Sequence, residues 1–434
     1  MSGIIEMPRY SCALAGSQYT VHAIEHAIPI LHSGPGCAFT NFFGQNFASG
    51  LQGSGYAGGL SVPSTNLYEK QIVFGGEEKL REQIKNTIDI INGDLYVVLS
   101  GCSAGLIGDD IAAVVREFKG DPAVIHVETS GFKGNSYSGY EYVIEALVKQ
   151  YLKPGKKIKG LVNILGVVPY QDVFWNGNLQ EIKRVLERLG LRVNTLFGDG
   201  QGIEAWKRAP CAELNIVLSP WAGQKAAKLL EDSFNIPYLI FPGLPIGVAQ
   251  TNRLLEEVGT RLKIDKKKID KVISSEQKNV YYYFNRVADA ITQFDMQLTF
   301  AQISDSNYAI GMTKFLVEEL GYIPVVNIIT DNTPPESQGF VVDELKTIYI
   351  NTGIDPSVYF ETDSGRIWNI IKDNSAQLLL GSSLDKDIAG KMHSFHLGVS
   401  FPITNRVVLD RGYAGYRGAI TLVEDIMGSV VSGL

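Results

Sequence analysis

The stretch Leu95–Gly120, LYVVLSGCSAGLIGDDIAAVVREFKG, decides the fold. Its first six residues are a short apolar run rich in β-branched and aromatic side chains, the composition of a strand buried on both faces of a parallel sheet. Gly101 and Cys102 follow, and IGDDIAAVVREFKG (107–120) reads as a helix. AVIHVE (123–128) reads as the next strand. Strand, helix and strand in succession predict a β-α-β unit with parallel strands.

The same alternation extends outward. Upstream, LREQIKNTIDII (80–91) places Leu80, Ile84, Ile88 and Ile91 on one helical face. Downstream, LVNILG (161–166) precedes a helix at LQEIKRVLERLG (179–190), and LNIVLS (214–219) precedes GQKAAKLLEDSFN, with YLIF (238–241) after it. LTFAQIS (298–304), AIGMTKFLVEELG and IPVVNII (323–329) repeat the pattern, and LLLGSS (378–383) and LGVSF (397–401) close it. The fold class is therefore α/β, with several open parallel sheets. The segment 255–290 is charged and helical and links two of these units, and its lysine run at 266–268 reads as a solvated helix face.

At roughly 150 residues per domain, 434 residues predict about three domains. The net charge, 39 − 46 = −7, argues against a nucleic-acid partner. No apolar run reaches the ~18 residues of a membrane span. The first residues, MSGIIEMPRYSC, lack the layout of a signal peptide. Four cysteines are too few for a disulfide scaffold. These features predict a cytoplasmic enzyme or enzyme subunit.

From Tyr10 to Tyr68 the only formal charge is Glu25, although one residue in five is charged overall. Ser, Gln, Asn, His and nine glycines interrupt this stretch, so it predicts a buried segment or subunit interface whose polar groups need specific partners. It holds Cys12 and Cys37. Cys102 stands just beyond a strand and at the start of a helix, where ligands bind in open α/β sheets and where the helix N-terminus favours a thiolate. No C-x-x-C pair occurs, which excludes a zinc ribbon. Glycines flank Cys37 and Cys102, and soft thiolates without carboxylates favour an iron–sulfur ligand. Three thiols in one chain, where a cluster wants four, imply sharing across a subunit interface. Of the six histidines, His393 and His396 read as ordinary core or surface residues. GSGYAGG (53–59) lacks G-K-[ST], so it is not a P-loop.

At these residues the sequence resembles the component-1 family of nitrogenases and nitrogenase-like reductases. ILHSGPGC (30–37), VVLSGCSAGLIGDDI (97–111) and IVFGGEEKL (72–80) carry the resemblance, with LNIVLSPWA (214–222) and FPITNRVVLDRGYAGYRGAI (401–420) in support. The resemblance implies three Rossmann-like domains, placed at 1–155, 156–290 and 291–434. It implies an [8Fe-7S] P-cluster-type iron–sulfur cluster shared with the partner subunit, with Cys12, Cys37 and Cys102 as metal ligands. Ser130, in ETSGFKG (128–134), falls at the position of an additional serine ligand to the cluster. Phe74 falls at the docking surface for an ATP-hydrolysing iron protein, the electron donor; ordinary helix packing is the alternative for this residue.

The family's catalytic α subunit binds its metal cofactor through a cysteine at a strand end and a C-terminal histidine. Here Ser219 stands at the first position, and FPITNR, with Thr404 and Asn405, near the second. Cys211 reads as a bystander. The resemblance is thus to a β-type subunit without catalytic residues of its own, paired with an α-type catalytic subunit in an α2β2 heterotetramer. Such a chain relays electrons to the partner's cofactor. The short segment before Cys12 and the extra glycine-rich residues between Cys37 and Phe74 depart from the molybdenum enzyme's β subunit. They point to nitrogenase-like reductases such as the methylthio-alkane reductases, which cleave C–S bonds. The alternatives are the β subunit of a dinitrogen-reducing nitrogenase, a non-redox tandem-Rossmann small-molecule-binding protein, and a structural subunit without a cluster.

Overall fold

The computed structural model describes residues 5–52, 62–118, 120, 122–293 and 297–433; the GSGYAGG run lies outside them. Three sheets form, and every strand pair is parallel. The first contains β1 (Ala27–His32), β2 (Leu95–Ser100) and β3 (Ala123–Val127) in the order β1-β2-β3. The second contains β4 (Leu161–Leu165), β5 (Arg192–Asn194), β6 (Leu214–Leu218) and β7 (Tyr238–Phe241) in the order β5-β4-β6-β7. The third contains β8 (Thr299–Ser304), β9 (Ile323–Ile329), β10 (Ser357–Phe360), β11 (Leu378–Gly381) and β12 (Phe395–Gly398) in the order β10-β9-β8-β11-β12. β1, β2 and β4 are buried at every position, as sheets covered on both faces require.

The segment 107–120 departs from the single helix its pattern predicts. One helix, Cys102–Ile107, ends at Gly108 with φ of 78°, a left-handed conformation that glycine adopts without strain. A second, Ile111–Glu117, restarts where the Asp110 carboxylate accepts from Ala113 N at 2.8 Å. The charged region 255–290 likewise divides into Gly247–Arg261 and Lys266–Gln293, with Lys263 at φ of 54° between them. Lys266, Lys267 and Lys268 are exposed, as a solvated face should be.

Polar ties run through the apolar layers. In the second sheet Asn163 pairs in register with Asn194 and Asn215. Asn163 Nδ2 donates to Asn215 Oδ1 at 2.8 Å, and Asn194 Nδ2 donates to Asn163 Oδ1 at 3.2 Å. Near the start of the chain, buried Arg9 donates to buried Asp385 at 2.5 Å, tying that segment to the third sheet. The last helix, Gly415–Gly433, packs back on helices Trp175–Arg188, Gly247–Arg261 and Lys266–Gln293.

A cluster of buried acids lies where these layers meet. Asp172 accepts from Tyr308 OH and Asn178 Nδ2 at 2.8 and 2.9 Å, and Asp305 accepts from Tyr308 N and Ser400 Oγ at 3.1 and 3.0 Å. Burial, reinforced by Asp331 and Asp172, pushes the Asp305 carboxyl up to about 7, and burial brings Asp172 to about 6. An unfolded aspartate titrates near ~3.9, so between roughly pH 4 and pH 7 the native chain holds the extra proton, and stability falls as pH rises through that window. Asp305 caps helix Ser306–Glu318, and Asp305→Asn keeps that cap without the charge. Its melting temperature is expected above wild type at pH 8, with the gain closing by pH 4; a difference independent of pH would contradict this account.

Candidate metal centre

The carboxyl ends of β1, β2 and β3 lie side by side, with His32 opposite Ser100 and Leu99 opposite Val127. Beyond them the chain enters three turns held to one another by backbone and side-chain hydrogen bonds. Gly101 N donates to His32 O at 2.9 Å, Thr129 N to Ser100 Oγ at 2.8 Å, and Thr129 Oγ1 to Ser100 O at 2.9 Å. A helix or helical turn starts after each: Pro35–Ala48, Cys102–Ile107 and Gly131–Lys133. Cys37, Cys102 and Gly131 therefore share one edge of one sheet, the place where open α/β sheets bind ligands.

Cys12 reaches this edge from elsewhere in the chain. It caps helix Ala13–His22 and bridges antiparallel to Asn135. Ala13 N donates to Gly134 O at 3.0 Å and Ser136 N to Ser11 O at 2.8 Å, which fixes the loop after β3 against the start of that helix.

Two of the thiols, those of Cys102 and Cys12, converge on Gly131. Its N–H donates to Cys102 Sγ at 3.2 Å. A Cβ added to Gly131 would stand 3.2 Å from Cys102 Sγ and 3.4 Å from Cys12 Sγ, so glycine is what lets both sulfurs approach the backbone. Burial pushes the Cys37 thiol up, a hydrogen bond with the Ser33 side chain lowers it, and the neighbouring Cys102 and Cys12 raise it further. Cys12 is exposed while Cys37 and Cys102 are half-buried. The edge is thus a half-open thiol site, and helix Pro35–Ala48 continues it as a ridge of exposed rings. Phe39 and Phe43 lie 4.4 Å apart, Phe43 and Phe47 5.2 Å. Such an apolar surface beside a half-open thiol site marks an interaction face.

Among the described residues no three His, Cys, Asp or Glu side chains close round a single ion. The donor set, soft thiols with a backbone N–H aimed at one sulfur, would suit an iron–sulfur cluster, to which Cys12, Cys37 and Cys102 would supply thiolates.

The model of the family described as nitrogenase component 1 type oxidoreductase matches residues 12–430, from the first of these cysteines to the last helix. The chain belongs to this family. Among curated component 1 relatives, the nitrogenase molybdenum-iron protein beta chain of Methanococcus maripaludis is 25% identical over 460 residues, covering 98% of this chain and 94% of the relative. The nitrogenase vanadium-iron protein beta chain of Trichormus variabilis is 25% identical over 464 residues, covering 100% and 95%. Among solved structures, nitrogenase Cp1 at pH 6.5 superposes with a TM-score of 0.82 at 22% identity, over 100% of this chain and 94% of the other, so the fold is that of component 1. As a component 1 type oxidoreductase subunit, the chain is similar over its full length to β chains.

Other component 1 positions take distinct places. Ser130 is buried and donates to Gly101 O at 3.2 Å, packed where a Cβ on Gly105 would strike it. Phe74 is 81% exposed at the end of helix Glu69–Phe74, beside exposed Ile72 and Val73, which removes helix packing as its explanation. Ser219 is buried as a turn former, its Oγ accepting from Trp221 N and Ala222 N at 3.3 and 3.0 Å. Asn405 accepts from Ser383 Oγ at 3.1 Å, and Thr404 N donates to the same hydroxyl at 2.8 Å. Cys211 lies beside Gly155, away from the other thiols. His396 Nε2 meets Ser382 O at 2.9 Å, and His393 ends a helix in the left-handed conformation. A cleft of about 930 Å³ with Trp221, Tyr142, Gln224 and Asn332 in its walls contains no cysteine.

The Asp109-Asp110 pair explains part of the family pattern in physical terms. Asp109 accepts from Gly76 N at 3.0 Å and meets buried His32 Nε2 at 2.8 Å, while Asp110 N donates to Glu77 Oε1 at 3.0 Å. Burial lowers the His32 pKa and Asp109 opposes the shift. These contacts fix the stretch that carries Phe74 against the end of β1. Ser33, Gly131 and the His32–Asp109 pair were not singled out by sequence reasoning, because the strand that ends at His32 was not read.

Proposed function

We propose that this chain is the β-type subunit of a component 1 reductase and that, with an α-type catalytic partner in an α2β2 heterotetramer, it holds an [8Fe-7S] P-cluster-type cluster at the shared face. The convergence of Cys12 and Cys102 on Gly131, with Cys37 within electrostatic reach, carries this reading. When bound, such a cluster supplies one-electron storage and transfer between an ATP-hydrolysing iron protein and the partner's cofactor.

The chain's own residues have separable tasks. Cys12, Cys37 and Cys102 provide thiolates from the starts of three helices, where the helix ends favour negative charge. The Gly131 N–H withdraws charge from Cys102 Sγ, one lever on reduction potential. Ser130, hydrogen-bonded to Gly101 O, lines the back of the site and is a ligand only if that bond is released. Phe74, with Ile72 and Val73, forms the apolar surface on which the donor docks. The protein is cytoplasmic in this reading, and among the described residues no helix is long and apolar enough to cross a membrane.

For the partner's reaction we propose reductive C–S cleavage of methylthio-alkanes, on the departures between Cys37 and Phe74. The names of the full-length relatives favour dinitrogen reduction as the second reading. The test is iron and acid-labile sulfide per αβ pair after anaerobic co-purification with an α-type partner. About eight irons that disappear in Cys37→Ala are expected for the interface cluster; an iron-free wild-type pair overturns the reading. The same preparation, supplied with donor and ATP, separates methanethiol release from ammonia formation.

A further inference from the structure

Helices Ala13–His22 and Pro35–Ala48, which carry Cys12 and Cys37 at their starts, meet along a buried polar seam. Asn41 Nδ2 donates to Gln18 Oε1 at 3.1 Å. One turn further along both helices, His22 Nδ1 lies 2.8 Å from Gln45 Oε1. Gln18 and Gln45 are fully buried, His22 is 4% and Asn41 7% exposed. At ~1.5 Å per residue, Gln18 lies about 9 Å along its helix from Cys12, and Asn41 about 6 Å along its own from Cys37.

The proton count is determined by chemistry. Gln45 Oε1 only accepts, so His22 Nδ1 carries the hydrogen and Nε2 remains an acceptor. Burial lowers the ring to about 4, which keeps it neutral at physiological pH. Among the described residues three buried atoms of the seam make no hydrogen bond of ordinary geometry, the donors Gln18 Nε2 and Gln45 Nε2 and the acceptor His22 Nε2, and the Tyr170 hydroxyl lies close enough to the Gln45 side chain for the two to interact. A buried polar group left unsatisfied costs about 1–3 kcal/mol. Two donors and one acceptor are complementary to water, which accepts two hydrogen bonds and donates in return.

We propose that this seam is a positioning device for the cluster thiols: the Gln18–Asn41 and His22–Gln45 pairs lock the two cysteine-bearing helices in register, with buried water held by Gln18, His22 and Gln45. This rests on Cys12 and Cys37 being ligands. An apolar seam would allow the helices to slide past one another at little cost; directional bonds at two successive turns do not. The four residues are positioning residues, acting on the ligands through the helices that bear them.

The test uses the full chain with its α-type partner, purified without air. His22→Leu and Gln18→Met are compared with wild type by the rate of iron loss to a chelator and by the electron paramagnetic resonance line shape of the oxidised cluster. About tenfold faster iron loss is expected, as for other residues that orient metal ligands, together with an altered line shape. His22→Gln, which retains a donor for Gln45 Oε1, restores both. Gln18→Met is close to isosteric, so it answers the question if His22→Leu does not fold. Wild-type iron loss and line shape in Gln18→Met overturn the proposal, as does a His22→Gln variant as impaired as His22→Leu. An iron-free wild-type protein is a different result, which removes the cluster itself.

Discussion

Cys102→Ala is expected to yield a chain that folds but leaves the αβ pair without its interface cluster. Cys102 is the first residue of a helix between the two other strand-end turns, and Gly131 N–H is bonded to its sulfur. Alanine removes the proposed ligand and leaves that N–H facing a methyl group. The half-buried side chain makes little contribution to the core, so the monomer's melting temperature should change by only a few degrees. The heteromer should lose far more, because a group that binds only the assembled state stabilises it by mass action. Iron analysis, visible absorbance and size-exclusion chromatography of the co-purified pair read all three consequences. A variant with the wild-type iron content would refute the assignment of Cys102.

Gly139→Ala is expected to have the largest effect away from the thiols. Helices Ala13–His22 and Ser136–Ala146 cross so closely that a Cβ on Gly139 would lie 2.3 Å from Ala13 O and 2.5 Å from Ser17 N. A Cβ on Gly16 would meet Ser136 O at 2.2 Å across the same crossing. These neighbours are backbone atoms, so no side-chain rotation relieves the clash and the helices must separate. Overpacking of this kind costs about 1–3 kcal/mol or more. Because Cys12 caps the displaced helix, iron content should fall together with the melting temperature. Loss of stability with full iron occupancy would uncouple the crossing from the site.

Much of this architecture was legible because parallel strands buried on both faces read as apolar runs. LYVVLS and IPVVNII match β2 and β9 at both ends, and YLIF, half-buried at a sheet edge but apolar throughout, matches β7. The strands that went unread each lack that signature. β1 has Pro29 within it, β5 is three residues with Arg192 at its start, and β10 alternates on the sheet edge. At the candidate metal centre, Cys102 was legible because strand, turn and helix are contiguous in the chain, whereas Cys37 was marked by its flanking glycines in the charge-free stretch. The approach of Cys12 was not, since its bridge to Asn135 is a tertiary contact. The charge-free stretch indicated buried polar groups in need of partners, but which side chains would pair depends on how helices Ala13–His22 and Pro35–Ala48 cross.

The asparagine row in the second sheet bears on how that sheet finds a single pairing. A strand displaced by two residues keeps each side chain on its original face, so burial of apolar surface scarcely distinguishes the shifted pairing from the native one. Asn163, Asn194 and Asn215 supply the distinction, because a shift of β5 or β6 against β4 leaves their amides facing hydrocarbon at about 1–3 kcal/mol for each unmet group. They work as a proofreading mark in the interior: once the helices cover both faces of the sheet and exclude water, the native pairing is the one that leaves these amides bonded to one another.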